Sequence, residues 1–438
     1  MRKILDFFIT KNREKSQKIV IVIVYILAAI VFNLRIFDTQ SVINEFADER
    51  VHIAYVAYLE ETGKIIPEFK DIPTLEHPSF VEENNYEEGS VNYLGHAPLY
   101  YHILKLFNIV KVDGNNVTYS LFALRLITQI ISNIALFVGF YIGYKNIKSI
   151  IGTIIFAFGL VTVPLFSYVS GAVQNDALSF LGMNIYILGM LRFVKNEEEK
   201  KRDYLTYFII ALGCFICMLN KLTAGLFVII SFLIIFIYTM IKEKSIKPLI
   251  CKEFFATIPV YLIILAYYLI IISRYGTINP SLPNIAPEYF KTTELYGGQI
   301  YLDKIPFDYY AKMYWTNFVR YWGGVDKNIG GIYSDVNEAK LPVIIFILPI
   351  IYLIFEIMEK KKINIVYYAV YFAVLAAIGI QFYKAWYEFR FVSGYTGGYH
   401  SRYYVCAMVP FLYLIAMIFE SVFNIFKEED KHEKTNKK

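Results

Sequence analysis

The chain has 438 residues, of which 57% are hydrophobic and 18% are charged, whereas soluble domains contain roughly 45–50% apolar and 25% charged residues. This composition excludes an ordinary soluble domain and predicts an integral membrane protein that has the lipid bilayer as its surroundings. The formal net charge of +5 would favour nucleic-acid binding only if the basic residues clustered on one soluble face. They do not, so no nucleic-acid partner is expected.

About ten apolar runs approach the length of roughly 17–25 helical residues that crosses a bilayer. They lie at about 19–37, 119–143, 149–168, 177–194, 204–219, 222–241, 254–273, 342–358, 364–383 and 403–426. The first run is too long for a signal-peptide core and has no small-x-small cleavage site, so it is expected to remain as an anchor. The sequence therefore predicts an all-α polytopic membrane protein with about ten transmembrane helices, in which residues 1–438 form a single membrane domain.

Basic residues beside these runs predict the orientation of the chain in the membrane. They are concentrated in the short segments at 145–148, 192–202, 242–252 and 360–362, and in the charged tail at 427–438. Because short loops rich in Lys and Arg stay in the cytoplasm, both termini are expected there, in a multi-pass protein of the plasma membrane. The extracytoplasmic segments are then 38–118, 274–341 and 384–402.

Residues 46–63, FADERVHIAYVAYLEETG, predict an amphipathic helix that ends at Gly63. Its apolar stripe has helical spacing and consists of Val51, Ala54, Tyr55, Tyr58 and Leu59. Asp48 and His52 are four residues apart and so lie on one face. The acidic start has two interpretations: Asp48 and Glu49 complement the helix dipole, or they face a reaction site. The first extracytoplasmic loop, 38–118, is expected to contain two or three such surface-lying helices and no independent domain.

Ionisable and polar residues recur close to the predicted outer membrane boundary in four separate turns. Besides Asp48, Glu49 and His52, they are His96, Tyr100, Arg125, Asn175, Asp176, Lys221, Arg390, His400 and Arg402. Lys and Arg suit a phosphate through charge-assisted hydrogen bonds, whereas a carboxylate suits a partner that must lose a proton. Convergence of these groups predicts an extracytoplasmic site. Because nucleotide-sugars are cytoplasmic, a sugar-transfer enzyme facing outward would need a lipid-linked phosphosugar.

The order of these short motifs resembles the multi-span glycosyltransferases of the C type over about residues 45–410. That clan includes the protein O-mannosyltransferase and lipid A aminoarabinose transferase group and a poorly characterised bacterial membrane-protein family. The matching motifs are Asp48-Glu49 with His52, His96-Ala97-Pro98-Leu99-Tyr100-Tyr101, Asn175-Asp176, Lys221 and Arg402-Tyr403-Tyr404. The chain departs from the pattern at Ala97, where the family usually has Pro, and in segment 274–341, which contains no matching motif.

The resemblance implies transfer of a sugar from a polyprenyl-phosphate carrier to an acceptor outside the cytoplasm, which could be a glycan, a lipid or a protein. Asp48 would be the general base, and Glu49 would support it or bind a divalent cation such as Mg or Mn together with Asp48. His52 and His96 would position carboxylates or the donor phosphate. The cations expected to neutralise the leaving phosphate are Lys221 and Arg402, with Arg125 and Arg390. The remaining substrate-binding candidates are Tyr100, Asn175, Asp176 and His400.

Two other functions stay open at this point. A lipid-linked oligosaccharide flippase, or another transporter, would also gather charges in a helix bundle, but it should carry polar groups at mid-membrane depth on several spans. An O-antigen-type ligase or polymerase would share the outward site and the lipid-phosphate substrate. Its large outer loop would be rich in Arg and His, whereas segment 274–341 contains no His. A non-catalytic scaffold would leave the outer charges unexplained.

Overall fold

The computed structural model describes residues 15–293, 296, 305–322, 341–393 and 398–436. In this part of the chain, seven helices are long and apolar enough to cross a membrane, or up to eight if one bent helix pair is a single span. The predicted all-α, polytopic membrane class is confirmed. The predicted count of about ten is not, because two of the predicted runs form shorter apolar helices, Tyr204–Met218 and Phe346–Met358.

The helices of the described residues follow the predicted runs closely in sequence. In chain order they are α1 (Lys15–Val42), α2 (Glu49–Thr62), α3 (Leu99–Lys105), α4 (Leu121–Asn146), α5 (Ile150–Thr162), α6 (Pro164–Gly171), α7 (Asp176–Glu198), α8 (Tyr204–Met218), α9 (Leu222–Glu243), α10 (Lys252–Phe255), α11 (Ile258–Tyr275), α12 (Leu282–Ile285), α13 (Pro287–Thr292), α14 (Phe307–Trp322), α15 (Leu341–Met358), α16 (Ile365–Glu388) and α17 (Met408–Asn436). A π-helical turn, Phe389–Ser393, follows α16, and a 3₁₀ helix, Ser401–Ala407, leads into α17.

The bent pair consists of α5 and α6, whose axes differ by 52°. Val163 separates them and has an extended ψ of 118°, the conformation that a following proline imposes. Pro164 then occupies the first position of α6, where its missing N–H costs no hydrogen bond. The predicted run at 149–168 is therefore broken at a proline, and α6 carries the chain sideways toward the outer end of the bundle.

Apolar side chains on the long helices divide into a buried face and an exposed face. On α1, Ala28, Phe32 and Ile36 are fully buried, whereas Ile26 and Ile30 remain about half exposed. On a helix long enough to cross a bilayer, the exposed apolar face is the one that lipid covers. Only 22% of the apolar window of α11 is buried, so this helix lies at the periphery of the bundle.

Charged side chains connect the helix ends that the sequence assigns to the cytoplasm. Glu198, at the end of α7, accepts hydrogen bonds from Lys242 at 2.9 Å and from Lys362 at 2.7 Å. Glu420 of α17 is buried and bonds to Ser149 at the start of α5. These ends therefore lie on one side of the bundle, as the loop pattern requires. Which side of the membrane this is stays a prediction.

The predicted helix in the first extracytoplasmic loop is confirmed as α2. Its C-terminal residue, Thr62, is followed by Gly63 at φ 65°, whose N–H donates to the carbonyl of Leu59 at 3.0 Å. The predicted apolar stripe is buried, but Ile53 and Val56 on other faces are buried too. Helix α2 is thus enclosed by the loop and the bundle and does not lie on a surface.

A small sheet in the same loop was not predicted from the sequence. Strands β1 (Glu83–Asn85), β2 (Lys111–Asp113) and β3 (Asn116–Thr118) pair antiparallel in the order β1-β3-β2. The β2–β3 hairpin turns at Gly114 with φ 58°, a conformation that glycine adopts without strain. Three-residue strands are too short for an alternating pattern to stand out in a sequence, which explains why the prediction contained only helices here.

Candidate active site

A cavity of about 1120 Å³ opens at the end of the bundle that carries α2. We call it the outer cavity. Its walls come from the start of α2 and the first loop, from segment 281–293, and from the chain between α16 and α17. The residues that line it are Glu45, Phe46, Ala47, Asp48, Arg50, Val51, Thr74, Glu87, Val91, Tyr93, Ser281, Leu282, Pro283, Tyr289, Phe290, Thr292, Thr293, Gln381, Glu388, Val392, Gly398, His400, Arg402 and Tyr403.

Asp48 lies in this cavity and does not cap its helix. Its φ of 66° places the backbone in the left-handed region, and its side chain makes no capping hydrogen bond. The two carboxylate oxygens instead accept hydrogen bonds from the guanidinium of Arg402 and the hydroxyl of Tyr93. A non-glycine residue at positive φ costs about 1–3 kcal/mol unless its surroundings fix it. The carboxylate of Asp48 is thus bonded to these two side chains and not to the backbone of its helix.

The charge state of Asp48 follows from competing effects. Burial raises the pKa of its carboxyl, but the Arg402 guanidinium and the Tyr93 hydrogen bond outweigh burial and hold the pKa well below its ordinary value. Burial also lowers the pKa of His52 to about 3, with Arg402 and Lys221 acting in the same direction and Asp48 opposing. At neutral pH the site therefore combines an ionised Asp48 with a neutral His52.

Glu49, although adjacent in sequence, has a different environment. Its side chain is fully buried, and Oε1 accepts from Nε of Arg125 at 2.9 Å and from the backbone N–H of Val173 at 3.0 Å. Oε2 accepts from Nη2 of Arg125 at 2.6 Å and from the hydroxyl of Ser79 at 2.7 Å. These bonds connect α2 to α4, to the first loop and to the turn after α6. Glu49 does not line the outer cavity.

Lys221 forms a buried ion pair behind the cavity wall. Its ammonium donates to Asp176 at 2.5 Å, and the two side chains are only 5% and 6% exposed. The same ammonium lies 4.6 Å from the ring centroid of Tyr403, and the guanidinium carbon of Arg402 lies 5.7 Å from that ring. Tyr403 thus lies close to two cations. Lys221 does not extend to the membrane surface, as a lysine at a helix end often does.

His52, His96 and Tyr100 belong to a packed layer next to this ion pair. Nδ1 of His52 lies 2.9 Å from the hydroxyl of Tyr101, and the rings of His52 and His96 are 6.3 Å apart. Burial lowers the pKa of His96 as well, with Lys221 adding to the effect. The hydroxyl of Tyr100 lies 2.7 Å from that of Thr128. These three side chains do not line the outer cavity.

Asn175 closes the layer by reciprocal hydrogen bonds with Asn220. The amide of Asn175 donates to the carbonyl of Asn220 at 3.2 Å, and the amide of Asn220 donates back to the carbonyl of Asn175 at 2.7 Å. This pair joins the starts of α7 and α9. Asp176 and Lys221 directly follow the two asparagines in sequence, so the pair fixes the backbone from which the ion pair projects.

The predicted cations and His400 separate into three groups. Arg402 and His400 line the outer cavity. Arg125 bonds to Glu49 and to the carbonyl of Asn44 at 2.8 Å through its Nε and Nη2 groups, and it does not line the cavity. Arg390 lies in the π-helical turn after α16 and is not among the residues that line the cavity. The structure thus brings together Asp48, His400 and Arg402 around the open space.

Tyr93 is not among the site residues predicted from the sequence, although its hydroxyl donates to Asp48. The available signal is its position two residues before Gly95-His96. Position 95 requires a glycine, because a Cβ there would lie 1.9 Å from the carbonyl oxygen of Pro280. This close approach brings segment 281–293 beside the His96 turn and makes it part of the cavity wall.

A divalent cation shared by Asp48 and Glu49 does not fit this arrangement. Among the residues that the structure describes, no group of three His, Cys, Asp or Glu side chains is placed to hold a metal ion. Each carboxylate faces a different arginine, and the bonds of Glu49 to Arg125 and Val173 would have to break before it could bind a cation. The predicted Mg or Mn stays a prediction.

In comparisons with known proteins, no family model and no curated protein matches the chain. Among solved structures, it is similar to ArnT from Cupriavidus metallidurans bound to undecaprenyl phosphate, with 11% identity over 91% of this chain and 77% of that chain and a TM-score of 0.40. For the apo state of ArnT the identity is 12%, the coverage 92% and 77%, and the TM-score 0.38. ArnT is an aminoarabinose transferase, a member of the group that the sequence motifs resemble. A TM-score of this size carries no inference about substrate, reaction or residue roles.

Proposed function

We propose that this protein is a membrane glycosyltransferase that transfers a sugar from a polyprenyl-phosphate donor to an extracytoplasmic acceptor. The observation that carries the proposal is the position of Asp48. Asp48 is an ionised carboxylate at the wall of the outer cavity. Its side chain does not cap α2, and it is paired with Arg402. A carboxylate and a guanidinium in contact supply the two groups that such a transfer needs, a proton acceptor and a phosphate partner.

In the proposed reaction, Asp48 accepts the proton of an acceptor hydroxyl. The hydroxyl oxygen forms a bond to the anomeric carbon of the donor while the bond from that carbon to the phosphate oxygen breaks. The electron pair of the broken bond stays on the released polyprenyl phosphate, whose charge Arg402 stabilises. Protonated Asp48 then returns its proton to solvent. General-base catalysis of this kind contributes roughly 10²–10⁴-fold to the rate.

Arg402 has to change partners during this cycle. Without substrate its guanidinium bonds to Asp48, which lowers the pKa of that carboxyl and makes it a weak base. A donor phosphate competes for the same guanidinium and draws it away from Asp48. The basicity of Asp48 then rises when the donor is bound. Nε of Arg402 is buried and has no hydrogen-bond partner among the described residues, so the contact with Asp48 does not satisfy all the donors of this guanidinium.

Lys221 would act on the donor indirectly. It is buried, it is paired with Asp176, and both it and Arg402 lie close to the ring of Tyr403. Its charge raises the positive potential behind Arg402, while Asp176 keeps the cluster close to neutral. We therefore assign the direct phosphate contact to Arg402 and a supporting role to Lys221.

The proposal requires the outer cavity to face away from the cytoplasm, with both termini inside the cell. Reporter fusions test this requirement. A reporter after Lys148, Lys201 or Lys361 should be cytoplasmic, and one within residues 64–90 should be external. An external reporter at Lys201 would place the cavity on the cytoplasmic side and would contradict the proposed mechanism.

The deciding experiment incubates the purified full-length protein with a panel of polyprenyl-phosphate sugars, each together with glycan, lipid and peptide acceptors, and measures release of polyprenyl phosphate. We expect release with at least one donor and its loss in Asp48→Asn. Asp38→Asn is the matched control, because Asp38 is an exposed aspartate near the C-terminal end of α1 and does not line the cavity. Release by the wild type that Asp48→Asn leaves unchanged would reject Asp48 as the base. No release with any donor would reject the transferase.

A further inference from the structure

One part of the cavity wall has no counterpart in the motifs found in the sequence. Segment 281–293, which contains α12 and α13, contributes seven lining residues: Ser281, Leu282, Pro283, Tyr289, Phe290, Thr292 and Thr293. Four of them carry hydroxyl groups, and the other three present apolar or aromatic surface. None carries a formal charge at neutral pH. This wall therefore differs in chemistry from the wall that contains Asp48 and Arg402.

The segment is held in place by several contacts with the first loop. At its N-terminal side, Arg274 bonds to Glu68 at 3.1 Å, and the hydroxyl of Tyr275 accepts the backbone N–H of Phe69 at 2.8 Å. The contact between Gly95 and Pro280 leaves no room for a side chain at position 95. Leu282 and Phe290 are buried at 3% and 7% exposure. The wall is thus formed before any ligand binds, and little ordering entropy opposes binding there.

The charges around the cavity argue against an anionic ligand on this side. The described lining residues include four carboxylates, Glu45, Asp48, Glu87 and Glu388, against two guanidiniums, Arg50 and Arg402. Asp48 and Arg402 neutralise each other, and Glu388 is paired with Lys384 at 3.5 Å, which leaves two carboxylates, Glu45 and Glu87, and one guanidinium. A cavity lined mainly by one sign of charge repels ligands of that sign. The one strong phosphate partner, Arg402, is already assigned to the donor.

Hydroxyl groups, an aromatic ring and an excess of carboxylates together favour one class of molecule. Sugar rings present hydroxyls that donate and accept hydrogen bonds, and they have apolar faces that pack on aromatic side chains. A binding site of this type orients its ligand with a few well-placed polar groups on a mostly apolar surface. A phosphate-rich or carboxylate-rich acceptor would meet no compensating cation among the residues of segment 281–293 that line the cavity.

We propose that segment 281–293 is the acceptor-binding wall and that the acceptor is an uncharged polyhydroxylated molecule, a neutral glycan. This inference rests on the proposed transferase function, since it assigns the second substrate of the same cavity. Tyr289 provides the face on which an acceptor sugar ring packs. Thr293 and Ser281 provide hydroxyl partners for the ring substituents.

The test uses three trisaccharides of equal length and saturation-transfer NMR on the detergent-solubilised full-length chain. Cellotriose is the neutral probe, trigalacturonic acid the anionic probe and the glucosamine trimer the cationic probe. We expect the neutral probe to bind at least about tenfold more tightly than the anionic probe. Tyr289→Ala should weaken neutral binding about five- to tenfold. Tyr309→Ala, a control at a 59% exposed tyrosine outside the cavity, should not.

A second variant tests the charge argument separately. Replacing Glu45 and Glu87 together by Gln should reduce the discrimination against trigalacturonic acid while cellotriose binding stays the same. Equal binding of the anionic and neutral probes to the wild type would overturn the inference. So would an absence of saturation transfer from all three probes, or unchanged cellotriose binding in Tyr289→Ala.

The same sample distinguishes this inference from the transferase proposal. If cellotriose binds as expected but no polyprenyl-phosphate sugar releases its carrier, the transferase is rejected and segment 281–293 remains a glycan-binding wall. If the donor is turned over and trigalacturonic acid accepts the sugar as well as cellotriose does, the transferase stands and the neutral-acceptor inference is rejected.

Discussion

Asp48 and Glu49 are neighbours in the chain, and each forms an ion pair with an arginine, yet their surroundings are opposite. Asp48 remains 21% exposed at the wall of a cavity, whereas Glu49 is fully enclosed and accepts hydrogen bonds from three separate elements. The first pair lies where a ligand can compete for its members. The second lies where competition would separate α2 from α4. An acidic pair in a sequence can therefore combine one carboxylate that is open to a cavity with one that is enclosed by the structure.

The largest expected effect concerns stability. Glu49→Gln leaves the Arg125 guanidinium buried without its countercharge, and breaking a buried pair in this way typically costs about 3–5 kcal/mol. The measurement is the thermal midpoint in detergent, compared with Glu76→Gln at an exposed position whose side chain does not line the cavity. A midpoint close to that of the wild type would mean that the Glu49 network does not support the fold.

Next in size is the effect of Arg402→Ala on the donor. Loss of a charged hydrogen bond costs roughly 1.5–3 kcal/mol, so donor affinity should fall by about 10- to 150-fold. Lys70→Ala at an exposed site is the control. Unchanged donor affinity in Arg402→Ala would mean that this arginine does not bind the donor phosphate. The proposed functional difference between the Asp48–Arg402 and Glu49–Arg125 pairs would then be wrong.

The same variant should change the pH dependence of the reaction. Arg402 holds the pKa of Asp48 below its ordinary value, so without the guanidinium burial raises that pKa. Asp48 then becomes protonated at a higher pH, and the acid limb of the rate profile should move to higher pH. A limb that stays in place or moves to lower pH would contradict the assignment of Asp48 as the titrating base.

The smallest expected effect is that of Tyr93→Phe, which removes one hydrogen bond to Asp48 and keeps the ring. Turnover should fall about three- to tenfold, the scale of a single hydrogen bond of about 0.5–1.5 kcal/mol, while the thermal midpoint stays near that of the wild type. An equal loss in Tyr86→Phe, whose hydroxyl bonds to exposed Glu61, would show that the effect is not specific to Asp48.

The fold class and the ends of the helices could be predicted because bilayer length and helical spacing leave clear patterns in a sequence. The apolar stripe of α2 and its stop at Gly63 are examples. The enclosure of α2 could not be predicted, since burial of Ile53 and Val56 depends on loops that fold over it. The three short strands could not be predicted, because a strand of three residues is too short to show an alternating pattern of apolar and polar residues.

Much less of the site could be predicted. The motifs indicated that Asp48 and Arg402 belong together, and they are 354 residues apart in the chain. No pattern in the sequence separates them from Glu49 and Arg125, because ion-pair partners depend on the direction in which each side chain points. For Asp48 that direction follows from its left-handed backbone conformation, which cannot be predicted from the residue type. The role of segment 281–293 depends on a contact with Gly95 that only the folded chain contains.

The most direct test compares Asp48→Asn with Glu49→Gln on the same detergent preparation, with turnover and thermal midpoint measured for both. Asp48→Asn keeps the size of the side chain but cannot accept the acceptor proton. We expect its turnover to fall by roughly 10²-fold or more, with a thermal midpoint close to that of the wild type. Glu49→Gln should show the opposite result: its thermal midpoint should be lower than that of the wild type, and its turnover per folded molecule should fall less than that of Asp48→Asn. A stable Asp48→Asn protein with near-normal turnover would contradict the account.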